Sequence, residues 1–70
     1  MELTAIVIED EDKVREVFIE LLEKFCPEIK VLGQTDNITD GYELIISKKP
    51  VVVFLDIEMP GGNGFELLLK

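Results

Sequence analysis

The stretch VVVFLDIEMPGGNGFELL, Val51 to Leu68, runs five apolar residues directly into a lone aspartate, with one proline and three glycines behind it. A run so short and so rich in β-branched residues reads as a strand buried on both faces, as in a parallel sheet. It is far below the roughly 20 residues that span a bilayer. Asp56 therefore stands where a buried strand reaches the rim of its core. The glycines Gly61, Gly62 and Gly64 allow a sharp backbone turn beside it.

Working outward, Ala5-Ile6-Val7-Ile8 is a second apolar run of the same kind, followed by the acidic loop Glu9-Asp10-Glu11-Asp12. From Lys13 the period changes. Val14, Val17, Phe18, Leu21, Leu22 and Phe25 recur at helical spacing, which predicts a helix with Asp12 as N-cap and Pro27 beyond its end. Ile29 to Leu32 reads as another strand, closed by Gly33. Asp36 and Asn37 offer caps for a second helix whose inner face would carry Ile38, Gly41, Tyr42, Ile45 and Ile46. Ser47 to Pro50 ends it. After the strand Val51–Leu55, a loop is expected over Ile57 to Gly62. Asn63 with Glu66 three positions later forms a capping box that predicts a third helix carrying Phe65, Leu67, Leu68 and Leu69.

Strands alternating with helices imply right-handed crossovers and a parallel sheet covered on its faces. The expected fold class is α/β: a flavodoxin-like, doubly wound parallel sheet, partial, with strand order 2-1-3 in the part present. The last predicted helix gets only about two turns before Lys70, roughly 10 Å. The expectation is therefore a truncated domain, with completion of the sheet by a second copy or by another segment as the alternatives. A core this small supplies little stability alone.

Composition narrows the function classes. A formal charge of −8 on seventy residues argues against phosphate-backbone binding, which needs basic patches, and the absence of histidine removes imidazole ligands and imidazole bases. The single cysteine, Cys26, allows no intrachain disulfide and points to a reducing compartment. The N-terminus lacks the basic opening and cleavage site of a signal peptide. A cytoplasmic location is expected, with no membrane contact.

In open α/β sheets, ligands bind at the carboxyl ends of strands, at a topological switch point. With the first strand between the second and third, that point lies between strands one and three. Glu9 and Asp10 follow the first strand and Asp56 follows the third. Three carboxylates in one crevice repel one another or recruit a cation. An all-oxygen site without imidazole or thiolate suits a hard ion such as Mg²⁺. A carboxylate held beside such an ion can attack phosphorus and become an aspartyl phosphate.

These residues resemble a known family. Glu9-Asp10 after an apolar strand, with Asp56 in FLDIEMPGGNGFELL, is similar to the receiver domain of two-component response regulators. The likeness covers the whole chain, as the amino-terminal portion (1–70) of a single receiver domain lacking the last two strands and helices. The segment is most similar to regulators that carry a LytTR DNA-binding domain downstream. The resemblance implies that Asp56 is the phosphoacceptor, that Asp10 and Glu9 bind Mg²⁺, and that Glu58 offers its backbone carbonyl to the metal. It implies a sensor histidine kinase as phosphodonor, a homodimer as an option, and transcription control through an output domain, with no nucleic-acid contact by this segment. Met59, Pro60 and Gly64 match the family's turn.

The chain departs from the family pattern at Glu9, where aspartate is commoner, and at Val51, where an aspartate often follows the proline. The family's switch Ser/Thr and its Lys would lie beyond Lys70. Two other functions compete. One is a degenerate receiver used only for binding or dimerisation. The other is a phosphatase resembling haloacid dehalogenases, with Asp10 as nucleophile and Asp12 as acid/base, a pattern that Glu9 interrupts. The calcium-loop imitation at Asp36, Asp40 and Gly41 fails because Ile38 and Ser47 occupy ligand positions. VVVFLD lacks the phosphate loop that a nucleotide-binding strand requires.

Overall fold

The computed structural model describes the backbone of residues 3–58 and 64–69, and side chains as far as Leu55. The order is β1 (Leu3–Ile8), α1 (Asp12–Phe25), β2 (Ile29–Thr35), α2 (Ile38–Lys48), β3 (Val52–Glu58) and β4 (Gly64–Leu69). The strands form one sheet in the order β2-β1-β3-β4. β1 pairs in parallel with both β2 and β3, as the apolar runs require.

Alternate residues of the central strands feed two cores. Ala5, Val7, Val52 and Phe54 pack with Phe18 and Leu22 of α1, while Ile6, Ile8 and Val53 pack toward Leu44 and Ile45 of α2. Burial on both faces explains why these strands show no polar alternation. Phe18 and Phe54 meet edge to face, with ring centroids 4.9 Å apart and planes at 68°. Cys26 packs against the α1-side cluster and caps that helix, its N–H donating to the Leu22 carbonyl at 2.8 Å.

Several local expectations are corrected. The N-cap of α1 is Glu11, without a side-chain cap bond, and Asp12 is already in the first turn. β2 continues through Gly33 to Thr35, and its register against β1 shifts by one residue between Ala5 and Ile6. A side chain at position 33 would crowd Leu44 at 3.2 Å, so glycine there lets α2 approach the sheet. The inward face of α2 is Gly41, Leu44 and Ile45, whereas Ile38, Tyr42 and Ile46 are exposed. Val17, Leu21 and Phe25 of α1 are likewise exposed, so the apolar stripe is wider than the surface the sheet covers. Asn37 does cap α2, its side chain accepting from the Asp40 N–H at 2.7 Å. The helix ends at Lys49, whose φ of 52° is the left-handed conformation of a C-cap.

The largest correction concerns the third helix. Gly64–Leu69 is a strand, antiparallel to β3, with Val52 opposite Leu69 and Phe54 opposite Leu67. β3 also runs on through Asp56 and Ile57 to Glu58, where a loop was expected. The physical reason is the open edge of β3, whose row of N–H and C=O groups attracts a partner. An antiparallel partner needs only a short connection, and a helix of about two turns is marginal in isolation. The turn expected at Met59 to Gly62 and the Asn63 cap lie outside the described residues.

Gly41 supplies a stability prediction. A Cβ at this position would collide with the Ile8 Cδ1 methyl, approach Ile8 Cγ1 to 2.9 Å and touch Thr35 Cγ2 at 3.4 Å. Gly41→Val is expected to lower unfolding stability by about 1–3 kcal/mol through overpacking. Urea denaturation with an unchanged or higher midpoint would contradict this close approach.

Candidate functional site

The geometry begins with two parallel neighbours. β1 and β3 pair through Ala5↔Val52, Ile6↔Val53, Val7↔Phe54 and Ile8↔Leu55. The next residues in each chain are Glu9 and Asp56. Extended by one residue, this register sets Glu9, just past the end of β1, beside Asp56, while β3 itself runs on to Glu58.

Glu9 is 2% exposed, although it is charged and lies past the end of β1. Its N–H donates to the Thr35 carbonyl at 3.1 Å, which ties the loop to the end of β2. Its Oε2 accepts from the Glu11 N–H at 3.1 Å. That bond ties the Glu9 carboxylate to the N-cap residue of α1, just ahead of the helix's first turn. Asp10 is exposed. Asp56 and Glu58 hold backbone positions in β3; their side chains lie outside the described residues.

Arg15 was not singled out by sequence reasoning. Its side chain is only 15% exposed. Nη1 donates to the Glu9 carbonyl at 2.7 Å, Nε to Gln34 Oε1 at 2.9 Å, and Nη2 to Asp12 Oδ1 at 2.8 Å. The available signal was a base three residues after Asp12, in a stretch from Glu9 to Glu16 that holds five acids and one other base, Lys13.

The described side chains at this end offer oxygen donors, with no histidine in the chain and the one cysteine at the far end of α1. That donor set fits a hard divalent cation. Among the described residues no group of three or more acids is gathered as a finished metal cage.

Residues 5–70 match the family model of the response regulator receiver domain. The chain belongs to the response regulator receiver family. The receiver's relatives include an uncharacterized response regulatory protein of Vibrio cholerae, 47% identical over 94% of this chain and 27% of the relative. The sensory transduction protein LytT of Bacillus anthracis is 37% identical over 93% of this chain and 26% of its own length. The nitrate/nitrite response regulator protein NarL of Escherichia coli K12 is 37% identical over 96% of this chain and 31% of its own. The chain thus spans about a quarter to a third of the length of these curated relatives. No solved structure matches it significantly. Membership makes the chain a two-component signalling module, with the flavodoxin-like order β2-β1-β3 that the receiver fold requires. Among the described residues no helix is long and apolar enough to cross a membrane.

Proposed function

We propose that this receiver accepts a phosphoryl group from a phosphohistidine on a sensor kinase onto Asp56, with Mg²⁺ held by Asp10, Glu9, Asp56 and the Glu58 carbonyl. The reading is supported above all by the parallel register that ends at Ile8 and Leu55. By it, residues 9 and 10 leave the end of β1 beside Asp56 of β3, at the end of the sheet where such folds bind ligands. In the transfer, a carboxylate oxygen of Asp56 bonds to phosphorus as the P–N bond breaks, and the departing imidazole keeps the electron pair and takes up a proton. Bound Mg²⁺ would neutralise the phosphoryl oxygens. The protein contributes position: Asp56 belongs to a strand anchored in the core by the buried residues Val52, Val53 and Phe54.

This activity is self-modification, not turnover of a separate substrate. The same proposal takes residues 1–70 as the amino-terminal part of one cytoplasmic receiver, coupled in a longer protein to a transcriptional output domain. Homodimerisation belongs to it as an option.

Asp10 supplies the test of the cation. It is exposed at the end of β1, so Asp10→Ala removes a ligand without opening a cavity. The variant should weaken Mg²⁺ binding by at least about tenfold, the scale on which even outer-shell substitutions act, with thermal stability unchanged. Calorimetric titration giving the same affinity for both proteins would remove Asp10 from the site.

A further inference from the structure

We propose that Arg15 is a positioning residue for the cation site, holding the peptide between Glu9 and Asp10 in the orientation that presents the Asp10 carboxylate. This rests on the metal-binding role proposed above. The observation is convergence. One guanidinium, on a side chain 15% exposed, joins three separate elements: the loop after β1 through the Glu9 carbonyl at 2.7 Å, β2 through Gln34 Oε1 at 2.9 Å, and α1 through Asp12 Oδ1 at 2.8 Å.

Glu9 is thereby held from both sides of its backbone. Its N–H is bound to the Thr35 carbonyl and its C=O to Arg15. A peptide unit is planar, so fixing the Glu9 carbonyl fixes the plane from which Asp10 departs. Asp10 is exposed, so packing does not set its direction. The Arg15–Asp12 ion pair alone would not justify this arrangement, because Asp12 is 78% exposed and exposed pairs contribute little. The arrangement uses the planar fork of arginine, and lysine cannot reproduce several fixed donors.

Electrostatics gives the opposite prediction, which makes the inference decidable by sign. A fixed positive charge close to a cation site repels the cation, so deleting it should tighten binding if charge were all that mattered. Positioning predicts loosening. Loss of an outer-shell partner typically costs 10–100-fold in metal affinity.

The experiment measures Mg²⁺ affinity calorimetrically on the full chain for wild type, Arg15→Ala, Arg15→Lys and Gln34→Ala, with thermal unfolding recorded for each. Arg15→Ala and Arg15→Lys are expected to weaken binding by about tenfold or more, and Gln34→Ala to weaken it less. In the metal-free state, hydrogen exchange at the Asp10 and Glu11 amides should accelerate in Arg15→Lys while the β1 amides keep their protection. Unchanged or tighter Mg²⁺ binding in the folded Arg15 variants overturns the inference and leaves the proposed function standing. Should Arg15→Ala unfold, the Arg15→Lys and Gln34→Ala affinities decide alone: both weakened supports positioning, both unchanged overturns it. Wild-type protein that binds no Mg²⁺ overturns this inference together with the function on which it rests.

Discussion

Asp56→Asn is expected to abolish phosphoryl labelling by a small phosphodonor such as phosphoramidate in the presence of Mg²⁺. Asparagine keeps the size of the side chain but is a poor nucleophile, and it removes one of the negative charges proposed to attract the cation. The fold should survive, because the substitution falls at the rim of the sheet beyond the buried residues Val52, Val53 and Phe54. Intact-mass measurement after incubation with the donor reads the result directly. Wild type should gain one phosphoryl group, and Asp56→Asn should show none above a denatured control. Labelling of the variant at the wild-type rate would move the nucleophile elsewhere. Mapping it to Asp10 would revive the phosphatase-like alternative.

Phe54→Ala should have the largest effect on stability. Phe54 is buried on β3 and stacks edge to face on Phe18 of α1, so it connects the strand that carries Asp56 to the helix layer. Truncating a buried phenylalanine costs about 3–5 kcal/mol. A chain of this length has only about 0.05–0.15 kcal/mol per residue in hand, so the variant is expected to be largely unfolded at 37 °C. Circular dichroism melts of Phe54→Ala, Phe54→Leu, Phe18→Ala and Phe18→Ala/Phe54→Ala test both the size and the origin of the effect. Phe54→Leu should lie between wild type and Phe54→Ala. The double-mutant cycle should return a coupling of about 0.5–1.5 kcal/mol, the range for aromatic pairs. Additive losses with no coupling would show that the rings merely share a core, without a specific contact.

The parallel core was legible because residues buried on both faces leave an unmistakable mark. Ala5 to Ile8 and Val51 to Leu55 are continuous apolar runs, and among the described residues Ala5, Ile6, Val7, Ile8, Val52, Val53 and Phe54 are the buried strand residues. The parallel pairing followed from that pattern, and the order β2-β1-β3 from reading the sheet as flavodoxin-like. Helix faces were less legible. An apolar stripe records what a helix can bury, not what lies opposite it; Ile38 and Tyr42 fit the stripe of α2 yet remain exposed, while Leu44 turns inward.

The segment Gly64–Leu69 shows a different limit. Phe65-Glu66-Leu67-Leu68-Leu69 suits a helix after a cap and also suits a strand beside an open edge, so its conformation is decided by β3 and not by local preference. Arg15 escaped notice for a related reason. Asp12 is a local partner three residues away on the same helix, but Gln34 lies 19 positions away and joins Arg15 only through folding. Glu9 was foreseen as a site residue. Its burial and its bond to the Glu11 amide were not, because a carboxylate after a strand carries no local sign of turning back on the next helix.

The most direct measurement is paramagnetic broadening of backbone amide signals by substoichiometric Mn²⁺, a mimic of Mg²⁺, in ¹⁵N-labelled protein. Residues that share one ion must lose their signals together. Glu9, Asp10 and the β3 amides at Asp56 to Glu58 should vanish first, while the acidic turn at Asp36 to Asp40 stays sharp, and excess Mg²⁺ should restore them. Broadening centred on Asp36 and Asp40, or on β1 without β3, would contradict a single cation pocket at the carboxyl ends of these two strands.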